Sequence, residues 1–88
     1  MREYVVEYLG TVFFIYVTVV TQNAFAIGAA LAMAVYISKN LAGGGFNPAV
    51  LLTHVLVGDT PASTLWGYLV AQLAAALTVH QIYKRLKH

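Results

Sequence analysis

The side chains of this chain that could do chemistry are scattered, except in one segment that combines glycines with an amide. Consecutive glycines let the backbone turn sharply and approach other groups closely. An asparagine followed by a proline is typical of a helix start, because the amide caps the first turn and proline needs no hydrogen-bond donor there. This segment, called the loop motif below, consists of Gly43, Gly44, Gly45, Phe46, Asn47, Pro48 and Ala49.

The apolar run that follows the loop motif, at residues 49–57, is short. It predicts a helix of about nine residues and about 14 Å, whereas the hydrocarbon core of a bilayer is about 30 Å thick. A short apolar helix after an open glycine loop is typical of a re-entrant half-helix, whose positive N-terminal end points into the membrane. We therefore expect a re-entrant segment at residues 41–58. Its loop carbonyls and the Asn47 amide would offer hydrogen bonds to a small solute.

The rest of the sequence contains no nucleophile–base set and no cluster of metal ligands. The absence of cysteine excludes disulfides and thiolate chemistry. The glycines of the loop motif lack the Gly-Lys-Ser/Thr that completes a phosphate-binding loop. The five basic residues form no patch of the kind that binds nucleic acid. We therefore expect no enzyme, no cofactor and no nucleic-acid partner.

The elements that must position the loop motif are long and apolar. Hydrophobic residues make up 60% of the 88-residue chain and charged residues 9%, a balance typical of a small integral membrane protein. The first apolar run is rich in β-branched residues, but lipid offers no partner to an open strand edge, so a helix is expected. The predicted membrane spans cover residues 4–21, 24–38 and 61–83. The first span is expected to be a retained helix, because it lacks the cleavage site of a signal peptide.

Short polar segments separate these spans. Gln22 and Asn23 form a two-residue turn, which makes the first two spans antiparallel neighbours. In the second span, small residues at four-residue intervals predict a stripe for close helix packing. The residues of this stripe are Ala24, Gly28 and Ala32.

Residues 58–61 end the half-helix and begin the next helix. Gly58 suits a helix end, and Asp59 or Thr60 can cap the next helix, with Pro61 in its first turn. The basic residues at the end of the chain are expected at the membrane surface. They are Lys84, Arg85, Lys87 and His88.

Three polar side chains stand out within apolar stretches. Glu7 has two interpretations: it snorkels to water at the interface near Arg2, or it is buried with a partner. Gln72 lies near the middle of the third span and is expected to hydrogen-bond across helices. His54 falls on the same side of the half-helix as Asn47, two turns later. An interfacial or hydrogen-bonded His54 is favoured over a metal ligand, and its role stays open.

The Asn-Pro-Ala of the loop motif resembles the signature of the aquaporin and aquaglyceroporin family. Ala-Met-Ala-Val-Tyr at residues 32–36 leads into the loop at the spacing of the glycerol-facilitator branch. Glu-Tyr-Leu-Gly-Thr at residues 7–11 and Tyr-Leu-Val-Ala-Gln at residues 68–72 resemble parts of the family's first and third helices. The resemblance covers nearly the whole chain, as one of the family's two inverted repeats. It implies an all-α membrane fold with three transmembrane helices and one re-entrant half-helix, a single half-repeat over residues 1–88.

The resemblance also implies roles for individual residues. Glu7 would accept hydrogen bonds from the loop backbone and brace it, and Gln72 would lie beside the loop. The loop carbonyls and Asn47 would line a single-file pathway. The constriction positions of the family correspond here to small or aliphatic residues, without the arginine that follows the family's second motif. This departure favours a wider, glycerol-type constriction, or one that dewets and stays closed. The constriction candidates are Ile27, Val35, Gly44 and Val50.

One half-repeat does not enclose a pore. We therefore expect an antiparallel homodimer in the lipid bilayer, with two Asn47 residues meeting at the midplane. A dimer of dimers or a tetramer of pores would follow the family. Arg2 and Lys39 fall on one side of the membrane and three basic residues near the end of the chain on the other, a near balance that suits dual topology. The alternative is a complex with a different half.

The expected function is a passive membrane channel for water or small neutral solutes such as glycerol. The alternative is a non-conducting structural membrane protein that keeps the half fold within a larger assembly. The missing arginine and the aliphatic constriction favour the alternative. The retained Asn-Pro-Ala, Glu7 and Gln72 favour the channel.

Overall fold

The computed structural model describes residues 1–86, and within this range the chain is helical and contains no strand. The helices α1 and α4 are long and apolar enough to cross a membrane, while α2 is apolar but only 15 residues long. Lys87 and His88, expected at the membrane surface, lie outside the described residues. The elements are α1 at Arg2–Thr21, α2 at Ala24–Ser38, α3 at Pro48–Leu56, a 3-10 turn at Ala62–Thr64 and α4 at Leu65–Leu86.

The two-residue turn folds α2 back along α1. Gln22 ends α1 in a left-handed conformation with φ 46°, and its N–H donates to the Thr18 carbonyl at 3.1 Å. Asn23 then caps α2, since its Oδ1 accepts from the Ala26 N–H at 2.9 Å. The helix α1 therefore contacts both α2 and α4, whereas α3 packs against α4.

The buried stripe of α2 is not the predicted one. The buried residues of this helix are Ala30, Ala34 and Ser38, which also recur every four residues. The prediction was wrong because α2 carries small residues on several faces, so spacing alone does not select the face that packs. Ser38 is buried at low cost, since its hydroxyl donates to the Ala34 carbonyl at 2.7 Å. The residues of the predicted stripe are all exposed: Ala24, Gly28 and Ala32.

The helix α3 begins inside the loop motif and has nine residues. Asn47 is its N-cap, and the Asn47 Oδ1 accepts from the Ala49 N–H at 2.8 Å. Pro48 occupies the first helical position, where its missing N–H costs nothing. At the other end, Gly58 has φ 90°, a conformation that glycine adopts without strain. Asn47 and Pro48 thus begin this short helix, and Gly58 follows its end.

The connection from α3 to α4 is not capped as predicted. Pro61 holds the cap position of the 3-10 turn, where no side chain makes a cap hydrogen bond. The Thr60 hydroxyl instead donates to the Gly43 carbonyl at 3.1 Å, and the Asp59 carboxylate lies 3.6 Å from the His54 imidazole. Both candidate caps therefore have partners elsewhere in the tertiary structure, which a local capping rule cannot anticipate.

Candidate functional site

The side chain of Glu7 is the point at which the loop motif is fastened to α1. It has 0% exposure, although it lies in the second turn of the helix. Its Oε2 accepts hydrogen bonds from the Phe46 N–H at 2.7 Å and from the Gln72 Nε2 at 2.9 Å. The interfacial interpretation of Glu7 is therefore wrong, because α4 and the loop motif cover the carboxylate and supply donors in place of water.

Gln72 joins α4 to the same network. Its side chain is 4% exposed, and its Nε2 also donates to the Gly44 carbonyl at 3.1 Å. Glu7 and Gln72 are 65 residues apart in sequence and meet at the loop motif. A buried carboxylate and a buried amide thus hold two consecutive parts of one irregular backbone segment. Their role in conduction stays a prediction.

Phe46 is the loop residue that enters the core, and the sequence analysis did not single it out. It is 4% exposed and has φ 63°, which is unusual for a residue other than glycine. Its ring packs on Gly10, where an added Cβ would overlap the ring. Gly10 lies one turn after Glu7 on the same face of α1, so this face receives both the backbone and the side chain of Phe46. A glycine three residues after a carboxylate in an apolar helix is the signal that could have indicated this docking.

Two glycines of the loop motif are needed for different reasons. A Cβ on Gly44 would lie 2.7 Å from the carboxyl carbon of Glu7, so Gly44 lets the loop approach α1 closely. Gly45 has φ 69°, and a Cβ there would overlap the side chain of Val50. Gly45 therefore combines a left-handed backbone with the close approach of α3.

An open groove of about 420 Å³, the α2–α3 groove, separates α2 from the loop motif and α3. Val35 of α2 and Val50 of α3 both line it. The other two constriction candidates, Ile27 and Gly44, do not. The structure thus brings together two of the four candidates, and Gly44 contacts Glu7 instead.

The remaining residues of the loop motif divide between the groove and the exposed start of α3. Gly43, Gly45 and Phe46 contribute to the groove wall. The Asn-Pro-Ala residues are exposed and stand beside the groove, outside its lining. The Asn47 Oδ1 is engaged as the cap of α3, and its Nδ2 makes no hydrogen bond within residues 1–86. The amide nitrogen of Asn47 is therefore held in place with its donors available.

Three side chains that can carry charge line one part of the α2–α3 groove. His54, Asp59 and Lys39 all line it. The His54 Nδ1 lies 3.6 Å from the Asp59 Oδ2, with the two side chains 41% and 69% exposed. A side-chain contact this exposed contributes little to stability. No group of three or more metal-ligating side chains occurs among the described residues.

The chain is similar over its whole length to one known family: the family model described as major intrinsic protein matches residues 1–88. It is also 34% identical to aquaglyceroporin-2 of Trypanosoma brucei brucei over 85 residues, which are 82% of this chain and 27% of that protein. No solved structure matches the chain.

Two further relatives come from distant organisms. Glycerol uptake facilitator protein-like 6 of Lactiplantibacillus plantarum is 30% identical over 96% of this chain and 43% of its own length. Aquaporin-8 of Rattus norvegicus is 39% identical over 78% of this chain and 30% of its own length. The chain thus spans less than half of the length of each of these relatives.

Proposed function

The chain belongs to the major intrinsic protein family, and on that premise we propose that it supplies one half of a passive membrane channel for water or small neutral solutes such as glycerol. Members of the family are integral membrane proteins and passive channels, not enzymes. Relatives named as aquaporin, aquaglyceroporin and glycerol uptake facilitator support both classes of solute.

The observation that carries the proposal is how the side-chain amide of Asn47 is bonded and exposed. The cap to Ala49 fixes its side chain, and its exposed amide nitrogen keeps donors for a solute oxygen. The loop before it is irregular backbone anchored by Glu7 and Gln72. Within a membrane, such backbone is tolerated where it is buried in protein or lines a water-filled space. A donor at the end of a short helix, beside an open groove, is suited to receive a neutral solute.

In this proposal α1, α2 and α4 cross the membrane and α3 is re-entrant. α3 has nine residues, or about 14 Å at 1.5 Å per residue, which is about half of the hydrocarbon thickness. Its N-terminus would lie near the midplane, with the positive end of its dipole toward the pathway. Two such helix ends would repel cations and protons without a charged side chain.

The α2–α3 groove is open, so the pathway needs a second half. We assign this role to a second copy in the antiparallel orientation, with the two Asn47 residues facing each other. The exposure of the first turn of α3, from Asn47 to Val50, supports a partner at this surface. Dual topology follows, and four such pores would assemble as a tetramer. A different half with the same inverted arrangement is the alternative partner.

A non-conducting structural role is the second candidate function, and one feature of the groove lining favours it. Val35 and Val50, two of the constriction candidates, add aliphatic side chains to the lining, and hydrophobic constrictions can close by dewetting. Stopped-flow light scattering of proteoliposomes under water and glycerol gradients separates the two functions. A channel gives fast permeation with a low activation energy, whereas a structural protein leaves both rates equal to those of empty liposomes.

A further inference from the structure

We propose that the hydroxyl groups of Tyr68 and Thr60 position Gly43, and through it the groove wall, as a second anchor of the loop motif. This anchor is separate from Glu7 and Gln72. The inference rests on the proposed channel function, because Gly43 and Thr60 both line the α2–α3 groove.

Both backbone hydrogen-bonding groups of Gly43 are taken up by side chains. Its N–H donates to the Tyr68 hydroxyl at 2.9 Å, and its carbonyl accepts from the Thr60 hydroxyl at 3.1 Å. Tyr68 is 5% and Thr60 6% exposed, so water does not readily replace either partner. Backbone groups shielded from water need partners, and for the partly buried Gly43 no regular secondary structure supplies them. The place of Gly43 therefore depends on two hydroxyl groups.

The two hydroxyl groups are themselves held in place. The ring of Tyr68 meets the ring of Tyr4 edge to face, with centroids 5.1 Å apart and an interplanar angle of 71°. Tyr4 in turn packs on Gly67, where a Cβ would overlap its ring. The Thr60 N–H donates to the His54 carbonyl at 3.2 Å. Contacts with α1 and α4 thus fix the position of the Tyr68 hydroxyl, and a hydrogen bond to the last turn of α3 fixes that of the Thr60 hydroxyl.

The two anchors hold different parts of the loop motif. Glu7 and Gln72 hold Phe46 and the Gly44 carbonyl on the α1 side, whereas Tyr68 and Thr60 hold Gly43 at the groove. Without the Tyr68 hydroxyl, the Gly43 N–H would become a free donor in the groove wall and the wall would move. The structure therefore assigns Tyr68 and Thr60 as positioning residues that set the width and polarity of the pathway. Discrimination between water and glycerol should depend on them.

The anchor can be tested directly at the amide it holds. Gly43 is the only glycine in the sequence that follows an alanine, so labelling alanine at the carbonyl carbon and glycine at the nitrogen isolates its NMR signal. We expect Tyr68→Phe in lipid nanodiscs to raise hydrogen exchange at Gly43 about tenfold, the effect of one lost hydrogen bond. Tyr36→Phe is the matched control, since Tyr36 is 77% exposed and makes no hydrogen bond within the described residues. Unchanged exchange in Tyr68→Phe would overturn the anchor.

The same variants separate the anchor from the proposed function. In proteoliposomes we expect Tyr68→Phe to shift the ratio of glycerol to water permeability, with Tyr36→Phe equal to wild type. Faster exchange with an unchanged ratio would reduce the anchor to a structural role and refute positioning. If Tyr68→Phe speeds exchange at Gly43 but the wild-type protein conducts neither water nor glycerol, the channel is refuted and the anchor is retained.

Thr60 provides a second test if Tyr68→Phe does not fold. Thr60→Ser keeps a hydroxyl and should retain the Gly43 exchange rate and the permeability ratio of wild type. Thr60→Val keeps the shape without a donor and should change both. Equal behaviour of the two Thr60 variants would contradict the role of its hydroxyl.

Discussion

The Phe46 N–H donates to the Glu7 Oε2 at 2.7 Å, across 39 residues of sequence, and this bond joins the loop motif to the first helix. Phe46 adopts a left-handed conformation at that point and places its ring on Gly10. The Phe46 N–H, part of the irregular backbone before α3, thereby finds its acceptor inside the protein, as a membrane environment demands. The position of Asn47, the next residue, follows from this docking.

Removing the carboxylate should therefore release the loop. We expect Glu7→Ala to lower the free energy of unfolding by about 2–4 kcal/mol, because the Phe46 N–H and the Gln72 amide would lose their buried acceptor. The measurement is unfolding in mixed micelles followed by circular dichroism. Glu3→Ala is the control, since Glu3 pairs with the exposed N-terminal ammonium, and it should stay within about 0.5 kcal/mol of wild type. Equal stability of the two variants would contradict the anchoring role of Glu7.

Gly10 should be intolerant of any side chain. Gly10→Ala would force a methyl group into the ring of Phe46 and should destabilise the fold by about 1–3 kcal/mol. Gly28 is a helical glycine with nothing within 4 Å of an added Cβ, so Gly28→Ala should be neutral or stabilising by up to about 1 kcal/mol. The same unfolding assay compares them. Similar effects at both positions would show that helix propensity, and not the Phe46 contact, decides the outcome.

Gly45 and Val50 should be energetically coupled. Gly45→Ala meets both a left-handed backbone and the Val50 side chain, and Val50→Ala removes only the second obstacle. A double-mutant cycle on the free energy of unfolding should therefore give a coupling of about 0.5–3 kcal/mol. Additive effects would mean that Val50 does not lie against Gly45.

The antiparallel pair predicts a symmetric contact between the two α3 helix starts. Because the sequence has no cysteine, Ala49→Cys places a single thiol beside the expected two-fold axis. We expect mild oxidation in membranes to give a disulfide dimer of this variant. Leu77→Cys is the control, because Leu77 of α4 is also exposed, at 69%, and lies outside the groove. Dimers from Leu77→Cys alone would exclude the proposed arrangement.

Much of the local structure follows from the sequence. The two-residue turn after α1, the cap and proline at the start of α3 and the glycine at its end depend on neighbouring residues, and they appear as expected. These features are set by backbone conformation and capping, which act over a few positions. The boundary of α4 shifts because a 3-10 turn precedes it.

The tertiary assignments were harder to predict. The stripe on α2 was placed on the wrong face, since several faces carry small residues. The partner of Thr60 was missed because it lies 17 residues away in the loop motif. Gly10 and Phe46 were overlooked because neither carries a polar group, although their contact determines how the loop docks. Contacts that depend on the shape of apolar residues, such as that of Phe46 with Gly10, are hard to predict from a single sequence.

The most direct test of the account is the permeability of Asn47 variants in proteoliposomes at equal incorporation. Asn47→Ser keeps a neutral cap for α3 but removes the amide donors, whereas Asn47→Leu removes both functions. We predict fast water or glycerol flux with a low activation energy for wild type, and loss of that flux in both variants, with helicity kept in Asn47→Ser. Wild-type rates equal to those of empty liposomes, with folding and pairing verified, would contradict the channel. Undiminished flux in Asn47→Ser would show that Asn47 only caps the helix.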